Sequence, residues 1–167
     1  MAAHRILQLG DPQLRLVSQP IAARAADTVL RDLEDTLAEF RRTHGFGRAI
    51  SAIQIGSAVR VIFMEVNGVR YELINPEIGR RSPELFELWD DCFSFPNLMV
   101  RLQRHASVHL KYQNRDGTNA RIDAAGALSE LIQHEMDHLN GVLAVDRALD
   151  RNSLCTREEW LRQNRPA

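Results

Sequence analysis

The pentapeptide His134-Glu135-Met136-Asp137-His138 constrains the fold of this chain more than any other stretch. Positions i and i+4 share one face of an α-helix, so the two imidazoles reach a single metal ion only if the segment is helical. The Glu135 carboxylate is then placed to move a proton of a water molecule beside that ion. The pattern therefore predicts a metal-binding helix that carries its own acid–base group.

The flanking sequence favours such a helix over an ordinary one with an exposed polar face. The predicted helix runs from about Ala124 to Asn140, and Gly141 follows at the position where a left-handed residue ends a helix. Four apolar residues can supply its buried side: Leu128, Leu131, Ile132 and Leu139. The motif thus has the helical context that its chemistry requires.

Two further helices are predicted, one near each end of the chain. The first has Asp27 as its expected N-cap and ends at Gly45 and Gly47. Its apolar stripe has spacings typical of an amphipathic helix and consists of Leu30, Leu33, Leu37 and Phe40. The last helix is expected to start after Thr156, because residues 156–159 have the pattern of a capping box.

Tight turns join the β-rich runs that lie between these helices. Asn67-Gly68 connects the run 59–66 to the run 69–74 and suits a type I′ hairpin, in which both central residues have positive φ. A further strand at 107–112 precedes a turn at 114–117. Because hairpins connect the strands instead of helical crossovers, the expected fold class is α+β with antiparallel β-sheet.

Length, charge and cysteine content exclude several classes of protein. A chain of 167 residues fits one domain, 1–167, and two cysteines are too few for a disulfide-stapled scaffold. With 21 basic and 22 acidic residues the net charge is −1, which argues against dedicated nucleic-acid binding. No apolar run reaches the ~18 residues of a membrane helix. We therefore expect a cytoplasmic protein with reduced thiols and no membrane association. We also expect a monomer.

Two histidines do not complete a catalytic metal site, which needs a third protein ligand and one open position. Cys92 is one candidate because two carboxylates precede it, although a small buried thiol is an equal alternative. The other candidates are a carboxylate or one of the remaining histidines, His4, His44, His105 and His109. The residues alone leave this choice open.

Three segments resemble, in order and position, the motifs of the peptide deformylases. Residues 134–141, HEMDHLNG, closely resemble the third motif. Residues 47–54, GRAISAIQ, are similar to the first motif, Gly-x-Gly-Leu-Ala-Ala-x-Gln, and residues 90–94, DDCFS, to the second, Glu-Gly-Cys-Leu-Ser. The stretch 6–15 is similar to the usual N-terminal stretch of the family, so the resemblance covers residues 6 to about 147.

The resemblance implies a fold and a role for each matched residue. Antiparallel sheets would pack around the motif helix. Glu135 would act as general base and then as general acid, while the Gln54 amide and the backbone N–H of Phe93 would donate to the oxyanion. One divalent metal ion per chain is implied, ferrous iron in many bacterial members with zinc, nickel or cobalt able to replace it, held by Cys92, His134 and His138.

The implied reaction removes the N-formyl group from the N-terminal methionine of nascent polypeptides and releases formate. The implied partner is an N-formylated peptide, which the enzyme could meet at the ribosome. Two alternatives stay open at this point. One is a divergent amidohydrolase that acts on another N-formyl or N-acyl substrate, and the other is a non-catalytic peptide-binding relative.

Departures from the family pattern cluster at residues expected near the substrate. Ala49 replaces a glycine of the first motif, and Asp91 replaces the glycine before the cysteine. The charge of Asp91 is expected to disfavour anionic ligands or to recruit a cation such as Arg48 or Arg104. The substrate-binding residues that we expect are Gly47, Arg48, Ala49, Asp91, Arg104 and Glu130.

Each of the three charged residues in that set also has a simpler interpretation. Arg48 is either a solvated side chain or a contact to the substrate. Glu130 lies four residues before His134 on the same helix face, where it is either solvated or paired with an arginine, or else favours a polar or cationic substrate side chain. Arg104 either contacts the substrate or forms a salt bridge with one of the two acidic residues before Cys92.

Overall fold

A computed structural model describes residues 3–164 of the chain. Helices lie near both ends of this range, with hairpins and one further helix between them. In chain order the elements are α1 (Asp27–His44), β1 (Ala49–Ser51), β2 (Val61–Val66), β3 (Val69–Arg81), β4 (Leu85–Asp91), β5 (Leu98–His105), β6 (Ser107–Gln113), β7 (Asn119–Ala125), α2 (Ala127–Leu139), β8 (Leu154–Thr156) and α3 (Arg157–Gln163).

The strands form two antiparallel sheets, and α2 packs between them. One sheet has the strand order β1-β2-β3-β6-β7 and the other has the order β4-β5-β8. Helix α2 contacts β1 and β7 of the first sheet and β5 of the second. The expected α+β class, with antiparallel sheets around the motif helix, is therefore confirmed.

Helix α2 is buried on all sides along most of its length. Every residue from 129 to 139 is buried, including the polar ones. Leu131, Ile132 and Leu139 pack in the core as predicted, whereas Leu128 is only partly buried. A helix enclosed all round must satisfy its polar side chains internally, so its polar residues need partners of their own.

The predicted start of α2 was three residues too early. Ala124 and Ala125 end β7, where they pair with Val108 and Ser107, and the helix begins at Ala127. The predicted end of the helix is confirmed, because Gly141 has a φ of +72°. A Cβ atom at Gly141 would lie 2.5 Å from the carbonyl oxygen of Arg15, so glycine is required there by space as well as by conformation.

The other predicted elements are confirmed in type, with different strand bounds (Val61–Val66 for the run 59–66, and Val69–Arg81 for the run 69–74) and one change at a helix start. Asn67 and Gly68 have φ values of +52° and +77°, as a type I′ turn requires. The Thr156 side chain accepts a hydrogen bond from the N–H of Glu159 and caps α3. The change concerns α1: Asp27 is its first residue and Ala26 is the N-cap, which makes no side-chain capping bond. The described helices do not include one with the length and apolar character needed to cross a membrane.

Candidate metal centre

Three side chains from two elements meet at the centre of the molecule. Cys92 follows the end of β4, and His134 and His138 lie one turn apart on α2. One potential ligand atom from each lies within 4.8 Å of the others, and Cys92 Sγ is 3.2 Å from His138 Nε2. All three are buried. Among the candidates for the third ligand, the geometry therefore brings Cys92 to the two histidines.

Asp90 orients His134 for such a role. His134 Nδ1 lies 3.0 Å from Asp90 Oδ2, which leaves Nε2 for another partner. Burial raises the pKa of Asp90, but His134 and Arg104 outweigh it and lower that pKa to about 2. For His134, burial acts to lower the pKa, but the Asp90 carboxylate dominates and raises it. A fixed negative charge behind the imidazole thus favours a cation in front of it.

A buried ion-pair chain continues behind Asp90. The Arg104 guanidinium, 3% exposed, donates to Asp90 at 2.9 Å and also to Asp137. Asp137 in turn accepts two hydrogen bonds from Arg147, at 2.5 and 2.6 Å. The chain of charges thereby links β5 to α2 behind the ligands. These ion pairs also provide hydrogen-bond donors for the carboxylate of Asp137, a residue of the motif that does not face the ligands.

Replacing Arg104 with methionine is expected to destabilise the fold by about 3–5 kcal/mol, because two buried carboxylates lose a shared counter-ion. Urea unfolding followed by circular dichroism measures this free energy. The matched control is Arg162→Met, since Arg162 pairs with Glu159 on the exposed face of α3 and its loss should leave the unfolding midpoint unchanged. A midpoint for Arg104→Met equal to that of the control would contradict the structural role.

The buried Glu135 carboxylate completes the chemistry of the site. Its Oε2 atom has no hydrogen-bond partner among residues 3–164, and burial raises its pKa to about 7 against the opposing effects of His134 and Ser51. Burial and the neighbouring His134 lower the pKa of His138. A buried group of one thiol and two imidazoles, beside a carboxylate with one unpartnered oxygen, fits a divalent metal ion with a bound water.

The Gln54 amide is fixed with its donor toward the cysteine. Its Oε1 atom accepts hydrogen bonds from the N–H and hydroxyl of Ser51, at 3.0 and 3.1 Å. Its Nε2 atom is therefore the end that lies 3.3 Å from Ser94 Oγ and 3.8 Å from Cys92 Sγ. Ser51 was not predicted to have a role, although the Ser-x-x-Gln spacing is a capping-box signal that could have indicated this contact.

Phe93, whose backbone N–H is the second predicted oxyanion donor, is held by aromatic packing. Its ring stacks on Phe40 with the ring centres 3.8 Å apart. Gly47 lies against the same ring: its φ is +134°, and a Cβ there would be 2.7 Å from Phe93 Cζ. Gly47 therefore permits the close approach of β1 to the loop that carries Cys92.

A cleft of about 210 Å³ opens onto this group. Most of the predicted site residues line it, namely Gly47, Arg48, Ala49, Gln54, Asp91, Cys92, Phe93, Glu130, His134 and Glu135. His138, the third member of the ligand group, does not line the cleft. Arg104 does not line the cleft, because its guanidinium is held in the ion-pair chain described above.

Two ion pairs flank the cleft. Arg48 Nη2 lies 2.6 Å from Glu130 Oε1, so the arginine-paired interpretation of Glu130 is confirmed. The charge of Asp91 is met by Arg157 of α3, not by Arg48 or Arg104 as we expected. Arg157 is far from Asp91 in sequence, and no local pattern indicates this pairing. Arg157, which binds the cleft residue Asp91, was therefore not predicted.

Comparisons with known proteins agree with this geometry. A family model described as polypeptide deformylase matches residues 3–153. The peptide deformylase of Parafrankia sp. (strain EAN1pec) is 36% identical over 174 residues, which cover 100% of this chain and 93% of the relative. The peptide deformylase of Heliobacterium modesticaldum is 36% identical over 154 residues, with 91% of this chain and 98% of the relative covered.

Solved structures show the same likeness. The crystal structure of peptide deformylase from Thermotoga maritima has a TM-score of 0.82 at 32% identity, covering 90% of this chain and 100% of that one. A peptide deformylase from Synechococcus elongatus, solved in complex with actinonin, has a TM-score of 0.82 at 30% identity, covering 97% of this chain and 86% of that one. This chain belongs to the peptide deformylase family.

Proposed function

We propose that this protein is a metal-dependent hydrolase that removes the N-formyl group from the N-terminal methionine of nascent polypeptides and releases formate. The observation that supports this most strongly is the buried group of Cys92, His134 and His138 beside Glu135, whose Oε2 atom has no hydrogen-bond partner among residues 3–164. This combination has the ligands for a metal ion and a separate group for proton transfer.

The metal is proposed to be one divalent ion per chain, ferrous iron in the cell, with zinc, nickel or cobalt able to replace it. Cys92, His134 and His138 would hold the ion, and Asp90 keeps the His134 ring in the orientation that exposes Nε2. When bound, such an ion lowers the pKa of a water molecule from 15.7 to about 7. The thiolate among the ligands makes the site sensitive to oxidation.

Glu135 performs the proton transfers in this proposal. Its carboxylate accepts a proton from the attacking water and then returns it to the leaving amine nitrogen, so that formate and the free peptide separate. The carboxylate is buried and its Oε2 atom has no hydrogen-bond partner among the described residues, so it is free to accept and release a proton. Glu135 is therefore proposed as the general base and acid.

Gln54 and Phe93 are proposed to stabilise the oxyanion. The two hydrogen bonds from Ser51 hold the Gln54 carbonyl oxygen away from the ligands, so the amide presents its N–H₂ group. The backbone N–H of Phe93, the residue after Cys92, is the second donor. One donor of this kind stabilises a transition state by about 3 kcal/mol, because it is oriented before the charge develops.

The proposed compartment and partners follow from the net charge and from the chemistry of the metal ligands. A thiolate site needs a reducing compartment, so we propose the cytoplasm. With a net charge of −1 the protein offers no basis for dedicated nucleic-acid binding, and an encounter with the nascent chain at the ribosome would rest on the peptide itself. We further propose that the protein acts as a monomer formed by one domain.

The activity is tested with protein prepared without oxygen and loaded with ferrous iron or nickel. One metal ion per chain is expected, and formate should be released from formyl-Met-Ala-Ser in proportion to the enzyme added. A formate assay coupled to NAD reduction measures the rate. A protein that binds the metal and peptide but releases no formate would support the non-catalytic alternative instead.

A further inference from the structure

One arginine contacts two segments that line the cleft. Arg157, the first residue of α3, has its guanidinium carbon 4.1 Å from the centre of the Phe46 ring. The same guanidinium donates to the Asp91 carboxylate and, through Nε, to the carbonyl oxygen of Pro96 at 2.6 Å. Phe46 and Asp91 line the cleft, whereas Arg157 does not. We call this group of four residues the Arg157 clamp, and it affects the cleft through the residues that Arg157 holds.

The two segments that the clamp joins belong to different sheets. Residues 45–48 lead into β1 of the five-stranded sheet, and Asp91 is the last residue of β4 in the three-stranded sheet. In the described part of the chain, no hydrogen bond connects residues 45–48 directly to residues 91–97. They do pack on each other, since the rings of Phe46 and Phe93 meet edge to face with their centres 6.5 Å apart. Arg157 therefore adds directional contacts to an interface that otherwise consists of packing.

Phe46 depends on such a contact because glycines flank it on both sides. Gly45 has a φ of +77° and Gly47 has a φ of +134°. Other residues rarely adopt these conformations, so the backbone next to Phe46 lacks the restraint that side chains provide. A guanidinium over the face of an aromatic ring is attracted by the negative charge of that face. Without Arg157, the ring and the segment that carries it would gain freedom to move away from Asp91.

The clamp uses a residue at which this chain departs from the family pattern. Asp91 stands where the second motif of the peptide deformylases has glycine. A glycine offers no carboxylate to the guanidinium, so the ion pair to Arg157 requires the residue that this chain has. The charge of Asp91 and the arginine at the start of α3 thus form a matched pair within this sequence.

We propose that Arg157 is a positioning residue for peptide binding, which holds Phe46 and Asp91 at the separation that fits the peptide. The inference rests on the proposed function and adds a residue to it. The contacts of Arg157 in the described structure do not include the three ligands, Glu135 or Gln54. Loss of its side chain should therefore raise KM and leave kcat near the wild-type value, as expected when substrate and transition state lose the same binding contribution.

The test measures kcat and KM of Arg157→Met for formyl-Met-Ala-Ser, with one metal ion per chain. KM is expected to rise about tenfold and kcat to change less than about threefold. Calorimetry with the product peptide Met-Ala-Ser should show a Kd weakened by a similar factor, which measures binding without turnover. The start of α3 should stay docked, because the backbone N–H of Arg157 still donates to the carbonyl oxygen of Asn97 at 2.8 Å.

A double variant separates the clamp from the charge of Asp91. Arg157→Met leaves that charge without its partner, whereas Asp91→Asn/Arg157→Met removes the charge as well. A KM that stays raised in the double variant would support the clamp. A KM restored to the wild-type value would overturn it, because the effect would then come from the unpaired carboxylate.

Substitution of Phe46 tests whether Arg157 acts through that ring. In the Phe46→Leu background, Arg157→Met should raise KM by at most about threefold, because the aromatic partner is already lost. An undiminished tenfold effect in that background would contradict the clamp. The matched control is Arg162→Met on the exposed face of α3, which should keep the wild-type kcat and KM.

A milder variant covers the case in which Arg157→Met does not fold. Arg157→Lys keeps the positive charge but lacks the planar set of donors that reaches Asp91 and Pro96 together. Its KM is expected to rise about threefold with kcat unchanged. A KM equal to that of the wild type would show that charge alone is sufficient and would overturn the clamp.

The outcomes also separate this inference from the proposed function. A fall in kcat with an unchanged KM would overturn the role in peptide binding, as would kinetics of Arg157→Met equal to those of Arg162→Met. If wild-type protein with one metal ion per chain hydrolyses no formyl peptide, the proposed function is overturned. The calorimetric comparison of wild type with Arg157→Met would still decide the role of Arg157.

Discussion

The variant Glu135→Gln is expected to bind one metal ion per chain and to hydrolyse formyl peptides about 100- to 10,000-fold more slowly than the wild type. Glutamine keeps the size of the side chain and its place in the cleft but cannot accept the proton of the attacking water. The loss should appear in kcat, because the missing step is proton transfer. Since Glu135 is not one of the three grouped ligands, metal binding should persist.

Two measurements on the same sample decide this prediction. Metal content by inductively coupled plasma mass spectrometry should equal that of the wild type, and formate release should fall to the expected range. Glu135→Ala should show the same loss with more disturbance of packing, because the residue is buried. Full activity of either variant would remove Glu135 from the proposed mechanism. Loss of the metal would indicate that Glu135 binds the metal or positions one of its ligands.

The second large effect that we expect is on metal binding. Substitution of Cys92 tests it, and substitution of Cys155 is the control. The variant Cys92→Ser is expected to weaken metal binding by at least about 100-fold, because a soft anionic ligand is replaced by a neutral hydroxyl. Loss of a residue that only hydrogen-bonds to a ligand typically lowers metal affinity 10–100-fold. Loss of a ligand itself should lower that affinity further. Cys155→Ser should leave metal content and activity unchanged, since Cys155 lies on β8 beside Met99 and outside the ligand group.

Competition with a fluorescent metal chelator measures both affinities. The visible absorption of the cobalt-loaded protein provides a separate readout, because thiolate–cobalt charge-transfer bands should be absent in Cys92→Ser and present in Cys155→Ser. Equal metal affinity for wild type and Cys92→Ser would contradict the assignment of Cys92 as a ligand. Loss of metal in Cys155→Ser would show that the second thiol also contributes.

Sequence patterns predicted correctly those features whose residues lie close together in the chain. The metal-binding helix α2, its end at Gly141 and the hairpin at Asn67-Gly68 each rest on residues within one or two turns of each other. Strands β4 and β5 were not predicted, although Asp90 and Arg104 lie on them. Their sequences mix charged and apolar residues, because one face packs in the core and each strand also carries members of the buried ion-pair chain.

The contacts that orient the site connect residues far apart in the chain, and no spacing rule predicts them. Asp90 meets His134 across 44 residues, and Asp91 meets Arg157 across 66. Only the three-dimensional packing of α2 between the sheets brings the first pair together. Ser51 is the exception, since its capping-box spacing to Gln54 is visible in the sequence and its contact to the amide follows from it.

The position of Arg157 has a consequence for where this protein can be shortened. The guanidinium binds Asp91 and the Pro96 carbonyl, and it lies 4.1 Å over the Phe46 ring. A chain cut after residue 153 would retain all three ligands and Glu135 but would lose the cation that holds these segments. Asp91 would then present an uncompensated negative charge in the lining of the cleft, so α3 determines whether an anionic inhibitor is repelled there.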